Sequence, residues 1–208
     1  MVKINKEKIK KWEAEPPPAA RVCPPGEKSF LQEKYSQLGL KNFEKLKAVP
    51  SNEKKVETEV SNEVDFYIRE IAFDKMLKHC YDMALEGNEA MGLLVGDVKQ
   101  WKSVYSIVYD VATASLDSSP FYVRFSRDAF EELFDKLDDI EYDYIILGWY
   151  HSHVGYTSFM SGIDIQTQMK YFSQPFHAAI VIDPINIEAK AFRISNKKCI
   201  EVPYAVFK

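Results

Sequence analysis

The chain has 208 residues, of which 46% are hydrophobic, and its formal net charge at pH 7 is −4. That length and apolar content suit one domain with a sizeable core. The mildly acidic balance argues against a nucleic-acid-binding protein, which needs a basic face. No segment is apolar for long enough to span a bilayer.

The cysteines also bear on where the protein works. Cys23, Cys80 and Cys199 are odd in number, far apart and in no metal-binding spacing. This argues against a disulfide framework and favours a reducing, intracellular setting. The N-terminus is charged where a secretory signal peptide needs an apolar run. We therefore expect a soluble, cytoplasmic protein.

Residues 1–63 differ in composition from the rest of the chain. They contain a proline triplet at 16–18 and a charged run at 51–63, and such stretches bury little apolar surface. Between them, the apolar spacing over 29–49 predicts one or two short helices, interrupted near Gly39. We predict an irregular extension that contributes little to the core and is either packed on the domain or reserved for a partner.

Residues 64–208 have the pattern of a compact α/β domain. Apolar runs bounded by glycine or proline predict buried strands, and apolar stripes at helical spacing predict helices. The predicted strands span 65–73, 90–98, 101–115, 121–126, 143–153, 177–184 and 189–194. The predicted helices span 74–87, 126–140 and 164–173. From these elements we predict a mixed, curved sheet with a helix on either side.

The boundaries of these elements follow from individual residues. Asp74 is predicted to cap the first helix and Gly87 to end it. The segment 116–120 is predicted to break the strand that precedes it. A turn that starts at Asp183 joins the last two predicted strands.

Two histidines close the predicted strand 143–153. Side chains at i and i+2 lie on the same face of a strand, so His151 and His153 can converge on one point. Asp164, at the start of the next predicted helix, can bring a carboxylate to that point. Two histidines, one aspartate and a water form the open tetrahedral set expected of catalytic zinc. Zinc lowers the pKa of such a water to about 7.

Two further residues suit hydrolysis at such a site. Glu89 opens an apolar strand, where a glutamate has few reasons to lie unless it faces a polar cavity, and it is our candidate for the proton-transfer base. Ser161 can donate a hydrogen bond to the oxyanion that develops on the attacked carbonyl. The segment Ser161-Gly162-Ile163-Asp164 is also a helix-capping pattern, so both roles of the serine stay open.

The remaining histidines and aromatic residues near the motif have simpler interpretations. We predict that His79 and His177 are structural or exposed. Trp149 and Tyr150 flank the two candidate ligands, but they lie in a buried strand, and we predict that they belong to the core.

Glu89, then His151-Ser152-His153, then Ser161-Gly162-Ile163-Asp164 after seven residues, resembles the JAMM (MPN-type) metalloprotease family. The resemblance implies a cytidine-deaminase-like fold, a Zn²⁺ ion held by His151, His153 and Asp164, and Glu89 as the base. The flanking segments GWYHSH, SGIDIQTQ and VIDP are most similar to the family members of the proteasome lid and the signalosome. The family usually has a proline after the second histidine, where this chain has Val154.

The resemblance also implies a substrate. It points to an isopeptidase that removes ubiquitin or a ubiquitin-like modifier from protein conjugates, with a proteasome-like complex as a partner and with neither nucleic acid nor membrane involved. The segments 113–121 and 154–160 are then expected to wall a narrow tunnel over the metal. Two alternatives remain open: a protease that trims the C-terminus of a small sulfur-carrier protein, and a non-catalytic scaffold.

Overall fold

The computed structural model describes residues 15–40, 58–114, 116–120, 122–126, 129, 133, 135 and 144–208. Its strands are β1 (Arg21–Cys23), β2 (Glu59–Val60), β3 (Phe66–Arg69), β4 (Met91–Gln100), β5 (Val104–Ala112), β6 (Leu116–Ser119), β7 (Tyr122–Phe125), β8 (Ile145–Ser152), β9 (Ala178–Asp183), β10 (Glu188–Ser195), β11 (Lys198–Val202) and β12 (Tyr204–Phe207). The helices whose bounds lie within the described residues are α1 (Ser29–Gln37), α2 (Glu70–Leu85) and α3 (Gly162–Tyr171).

Ten strands form one mixed sheet in the order β1-β12-β3-β5-β4-β8-β9-β10-β11-β2. Four of its pairs are parallel: β12–β3, β3–β5, β8–β9 and β11–β2. Arg193 of β10 forms an ion pair with Asp65, just before β3, although four strands separate β10 from β3 in the sheet order. The sheet is therefore strongly curled, and the predicted α/β fold with a mixed, curved sheet is confirmed.

Apolar side chains cover both faces of the sheet. One cluster joins α2, through residues such as Phe73 and Met76, to Tyr150 and other side chains of the central strands. The second cluster holds Trp149, with Ile165 of α3 packed against it. Because successive residues of a strand point to opposite faces, neighbouring aromatic residues of β8 enter different clusters.

The first predicted strand is too long. β3 ends at Arg69 and α2 begins at Glu70, so the prediction that Asp74 caps the helix is wrong. Ala72 and Phe73 lie on the buried face of α2. Their burial on this face explains why the helix begins before the predicted residue 74. The helix ends at Leu85, and Gly87 follows with φ of 75°, in agreement with the predicted stop.

The structure also corrects the strand predictions. The strand predicted over 101–115 does end before residue 116, since β5 stops at Ala112, but the segment predicted to break it contains β6, which pairs antiparallel with β7 in a separate hairpin. β11 and β12 were not predicted, although β11 pairs with β10 and β12 pairs with β3. Most of the helix predicted over 126–140 lies outside the described residues.

The N-terminal segment contributes to the domain core. β1 pairs with β12, and α1 buries Phe30, Leu31 and Tyr35 in the cluster that contains α2. The expectation that residues 1–63 add little to the core is therefore wrong for α1. The apolar side chains of α1 lie at helical spacing, although the sequence around them is mostly polar. The domain boundary between residues 63 and 64 remains a prediction, and the possible second helix after Gly39 lies outside the described residues.

A buried ion pair reinforces this docking. Lys34 of α1 is 4% exposed, and its Nζ lies 2.6 Å from Glu70 Oε1 and 2.9 Å from Asp74 Oδ1 on α2. A buried ammonium group needs such partners, because its desolvation is costly. The two carboxylates thus fix the position of α1 on α2.

The three cysteines are free and buried. Burial raises the pKa of Cys23 to about 12 and that of Cys199 to about 11, so neither thiol is ionised at neutral pH. Within the described part of the chain, no helix combines the length and apolar composition needed to cross a membrane.

A substitution in α1 tests whether this segment belongs to the fold. Leu31 is 1% exposed, and its replacement by alanine should lower the free energy of unfolding by about 2–5 kcal/mol, as for other buried leucines. Leu85→Ala is the matched control, since Leu85 is 56% exposed; its effect should stay within about 0.5 kcal/mol. Denaturant unfolding measures both. Equal, small effects would show that α1 is dispensable.

Candidate metal centre

The two candidate histidine ligands come from the end of β8, between β4 and β9 in the sheet. His151 is opposite Met91 on β4 and Val181 on β9. Backbone pairing on both sides therefore fixes the position of this strand end. His153 is the first residue after β8. Its N–H donates to the Ile182 carbonyl at 2.9 Å, which extends the pairing with β9.

An irregularity in β8 precedes the histidines. The pairing with β4 shifts register where Leu94 lies opposite Gly148. Gly148 has φ of 143°, and a Cβ at this position would lie 1.8 Å from the carbonyl oxygen of Ala178. Only glycine fits this position. An extra residue in a strand changes which face the following side chains occupy, so this glycine helps to determine where His151 points.

A capping box positions Asp164 at the start of α3. Ser161 Oγ accepts a hydrogen bond from the Asp164 N–H at 3.2 Å, and Asp164 Oδ2 accepts one from the Ser161 N–H at 2.7 Å. The helix-capping interpretation of Ser161 is thus confirmed. Its hydroxyl can still donate a hydrogen bond elsewhere, so its role toward an oxyanion stays a prediction.

The three candidate ligands converge. His151, His153 and Asp164 each offer one ligand atom, and these atoms lie within 4.8 Å of one another. His151 Nε2 is 3.4 Å from Asp164 Oδ2, and both histidines are 2% exposed. Two imidazole nitrogens and a carboxylate form the donor set of catalytic zinc sites, so the residues present fit a zinc ion.

The carboxylate is in the protonation state that a ligand needs. Burial alone would raise the pKa of Asp164, but the adjacent His151 imidazole and the hydrogen bonds from Ser161 outweigh burial. Together they hold the pKa of Asp164 well below its ordinary value. The group is therefore ionised at neutral pH, as metal ligation requires.

The tautomer of His153 follows from its hydrogen bond. Its Nδ1 lies 2.7 Å from the carbonyl oxygen of Thr157. A carbonyl oxygen only accepts, so Nδ1 carries the proton and Nε2 has the lone pair. Metal-ligating histidines usually donate their second ring N–H to a partner of this kind. This contact is a further respect in which the residues fit a metal.

The His151 ring is held from the side by Trp149. The two rings stack with centroids 4.6 Å apart, and Trp149 Nε1 donates to Gln168 Oε1 of α3 at 2.7 Å. Gln168 in turn donates to the Phe172 carbonyl and is 1% exposed. Trp149 is a core residue, as predicted. The role of Gln168 was missed, although a polar residue on the apolar face of a helix, between Ile165 and Phe172, was a usable signal.

Glu89 lies beside the same strand end. Continuing the β4–β8 register by two residues places Glu89 opposite His153, and the hydrogen bond from Ser152 N–H to the Ala90 carbonyl agrees with this. The Glu89 carboxylate accepts a hydrogen bond from the Tyr156 hydroxyl, and the Tyr156 ring stacks on His153 with centroids 4.4 Å apart. Tyr156, which the sequence analysis did not single out, thus connects the candidate base to a candidate ligand.

The β6–β7 hairpin is attached to Glu89. The Glu89 N–H donates to the Ser119 carbonyl at 3.1 Å, and the Ser118 hydroxyl donates to the Glu89 carbonyl. The segment 113–121, which was expected to wall the metal site, therefore contains a strand that contacts the candidate base. The segment 154–160 supplies Tyr156, and its Val154 is buried.

The other two histidines lie outside the cluster. His79 Nδ1 is 2.8 Å from the Tyr150 hydroxyl. His177 Nδ1 accepts a hydrogen bond from the Gln174 N–H at 3.1 Å, and burial lowers the pKa of His177. Both make structural contacts, as predicted.

Comparison with known proteins agrees with this geometry. A family model described as JAB1/Mov34/MPN/PAD-1 ubiquitin protease matches residues 48–174, a range that contains Glu89 and the three candidate ligands. The chain belongs to this family. Its resemblance to JAMM/MPN proteins, inferred above from the motif, is confirmed.

Relatives of this chain include a ubiquitin hydrolase and proteins named as subunits of the 26S proteasome and of the COP9 signalosome. The chain is 35% identical to the ubiquitin carboxyl-terminal hydrolase RPN11 of Saccharomyces cerevisiae over 57% of this chain and 38% of the relative. It is 34% identical to the 26S proteasome non-ATPase regulatory subunit 14 of Caenorhabditis elegans, over 65% of this chain and 46% of the relative. It is 39% identical to the COP9 signalosome complex subunit 5 of Kluyveromyces lactis, over 56% of this chain and 31% of the relative. The chain thus spans less than half the length of these relatives.

Removing a ligand tests the metal assignment. We expect about one zinc ion per purified wild-type chain, and most of it should be lost from His151→Ala, because two donors seldom hold zinc against water and buffer. Elemental analysis measures the content. His79→Ala is the control and should keep its zinc, since His79 lies outside the cluster. Full zinc occupancy in His151→Ala would refute the ligand assignment.

Proposed function

We propose that the protein is a zinc-dependent isopeptidase that cleaves ubiquitin or ubiquitin-like modifiers from protein conjugates. The observation that carries this proposal is the convergence of His151, His153 and Asp164 within 4.8 Å, next to a buried glutamate that is linked to His153 through Tyr156. A scaffold domain needs neither a buried donor set nor a buried carboxylate beside it, and burying such groups without a function is costly.

Each residue then has a role in hydrolysis. His151, His153 and Asp164 would hold a zinc ion, which would supply the Lewis acidity that makes water a usable nucleophile near neutral pH. Glu89 accepts a proton from the attacking water and passes it to the leaving amine. Ser161 donates a hydrogen bond from its hydroxyl group to the oxyanion that develops on the carbonyl. Tyr156 holds the carboxylate of Glu89 in place.

The β6–β7 hairpin suits an extended peptide. Within the described residues its two strands pair only with each other, and the hairpin is bonded to Glu89. A strand edge beside the base can pair with the main chain of an incoming tail. The flexible C-terminal tail of a ubiquitin-like protein is such a peptide, and it would present its terminal glycines to the metal.

The setting is proposed from the relatives. Their names describe subunits of the 26S proteasome and of the COP9 signalosome, so we propose a proteasome-like complex as the partner. Three unpaired cysteines suit a reducing compartment, and we propose a cytoplasmic location.

The function is tested by cleavage assays on a panel of fusions. The panel contains ubiquitin, ubiquitin-like proteins and a small sulfur-carrier protein, each assayed with and without a metal chelator. Chelator-sensitive cleavage of the ubiquitin-type fusions supports the proposal, while cleavage of the sulfur carrier alone supports a trimming protease. A zinc-loaded protein that cleaves nothing in the panel would support a scaffold role.

Replacing Glu89 tests the proton-transfer role. Glu89→Gln preserves the shape of the side chain but removes its basicity, so the cleavage rate should fall by about a hundredfold to ten-thousandfold. Zinc content should not change. Glu86→Gln, three residues earlier and exposed, is the matched control and should retain the wild-type rate. Wild-type cleavage by Glu89→Gln would show that another group is the base.

The substrate proposal predicts a steric requirement at the scissile bond. On this proposal we expect a narrow passage between the β6–β7 hairpin and the segment 154–160 that admits glycine but excludes bulky side chains. Replacing the two glycines before the scissile bond of a fusion with leucine should abolish cleavage. The unmodified fusion is the control, with cleavage followed by gel electrophoresis. Comparable rates for both would indicate an open, general peptidase cleft.

A further inference from the structure

Asp183 is a buried carboxylate with many donors. It ends β9, its side chain is 0% exposed, and no cation lies among its hydrogen-bond partners in the described part of the chain. Its oxygens accept five hydrogen bonds from nitrogen: Oδ1 from the N–H groups of Gly155 (3.2 Å), Ile185 (3.0 Å) and Asn186 (3.1 Å), and Oδ2 from the Thr157 N–H (2.6 Å) and the Asn186 side chain (2.8 Å).

These donors come from two separate parts of the chain. Ile185 and Asn186 belong to the turn between β9 and β10, and an aspartate at the start of a turn commonly accepts such bonds. Gly155 and Thr157 belong instead to the segment after His153, 28 and 26 residues away from Asp183. A turn does not require those two contacts. The carboxylate therefore ties the segment that follows His153 to the sheet.

The contact with Thr157 holds an unfavourable backbone conformation. Thr157 has φ of 75°, a left-handed conformation that β-branched residues rarely adopt. Such residues persist where their surroundings fix them. The carbonyl of Thr157 is the group that accepts the hydrogen bond from His153 Nδ1. Asp183 therefore fixes the peptide unit before Thr157, and through the backbone conformation of Thr157 it limits where this carbonyl points.

A second carboxylate holds the next residue. Glu188 Oε2 accepts a hydrogen bond from the Ser158 N–H at 3.3 Å, and the Glu188 carbonyl accepts one from the Ser158 hydroxyl at 3.2 Å. Glu188 is itself paired with Lys28, at 2.7 Å. Successive residues of the segment are thus anchored to opposite ends of the β9–β10 turn.

We propose that Asp183, assisted by Glu188, is a positioning residue for the metal ligand His153: it holds the Thr157 carbonyl so that the imidazole presents Nε2 to the metal. The proposal rests on the metal site of the proposed function. It adds that a carboxylate outside the ligand set controls the orientation and the tautomer of one ligand.

The test is Asp183→Asn, which preserves shape. The introduced amide has a single acceptor oxygen. This oxygen retains the larger number of hydrogen bonds when it takes the position of Oδ1, which has three donors, rather than that of Oδ2, which has two. Its NH₂ group then faces the Thr157 N–H, which loses its acceptor. We expect zinc affinity, measured by chelator competition, to fall about tenfold, at the lower end of the range for residues that orient ligands. Nitrogen NMR of the His153 ring in metal-free protein should show loss of the single Nδ1–H tautomer.

Two control variants, Asn186→Ala and Lys28→Ala, and one further test variant, Glu188→Ala, separate positioning from general stability. Asn186→Ala removes a donor to the same carboxylate on the turn side and should leave zinc affinity and the tautomer unchanged. Glu188→Ala should lower zinc affinity severalfold, while Lys28→Ala, which removes only the ion-pair partner of Glu188, should not. If Asp183→Asn fails to fold, the comparison of Glu188→Ala with Lys28→Ala decides the question.

The outcomes are distinct from those for the proposed function, because no substrate is used. Wild-type protein that binds zinc but cleaves no fusion would overturn the isopeptidase and leave this inference standing. A folded Asp183→Asn with wild-type zinc affinity and tautomer would overturn the inference. So would an equal loss of affinity in Asn186→Ala, equal affinities in Glu188→Ala and Lys28→Ala, or wild-type protein that binds no zinc.

Discussion

The pairing of β8 with β4 on one side and β9 on the other is the constraint on which the site depends. Side chains alternate along a strand, so a slip of one residue would move His151 into the core and expose Tyr150 to the site. Backbone bonds on both sides oppose that slip. Gly148 allows the one irregularity in the pairing, because only glycine fits against the Ala178 carbonyl. The site is thus built on a rigid strand end.

Backbone groups hold most of the polar side chains of the site. Asp164 is oriented by the Ser161 N–H, and His153 by the Thr157 carbonyl. A buried polar group without a partner costs free energy, so these bonds both satisfy the groups and restrict their rotation. Ligands that are oriented in advance lose less entropy when a metal binds. The arrangement suits catalysis, which depends on fixed geometry.

The N-terminal segment shows how average composition can mislead. Prolines and charges dominate residues 1–63, yet α1 inserts Phe30, Leu31 and Tyr35 into the core. Lys34 is buried beside them and satisfied by two carboxylates of α2. Only the partner helix makes this lysine tolerable, and a count of charges in the segment cannot reveal such a partner.

The sequence alone determined what depends on local spacing. The i, i+2 relation of His151 and His153, the helix start at Ser161 and the apolar strands follow from short-range periodicity, and the structure agrees with them. Contacts between distant residues were decided only by the tertiary structure: Tyr156 with Glu89 across 67 positions, and Thr157 with Asp183 across 26. β12 was not predicted, and its pairing with β3 also joins distant parts of the chain. Local patterns specify which elements form, whereas the meeting of distant side chains depends on how the whole sheet curls and packs.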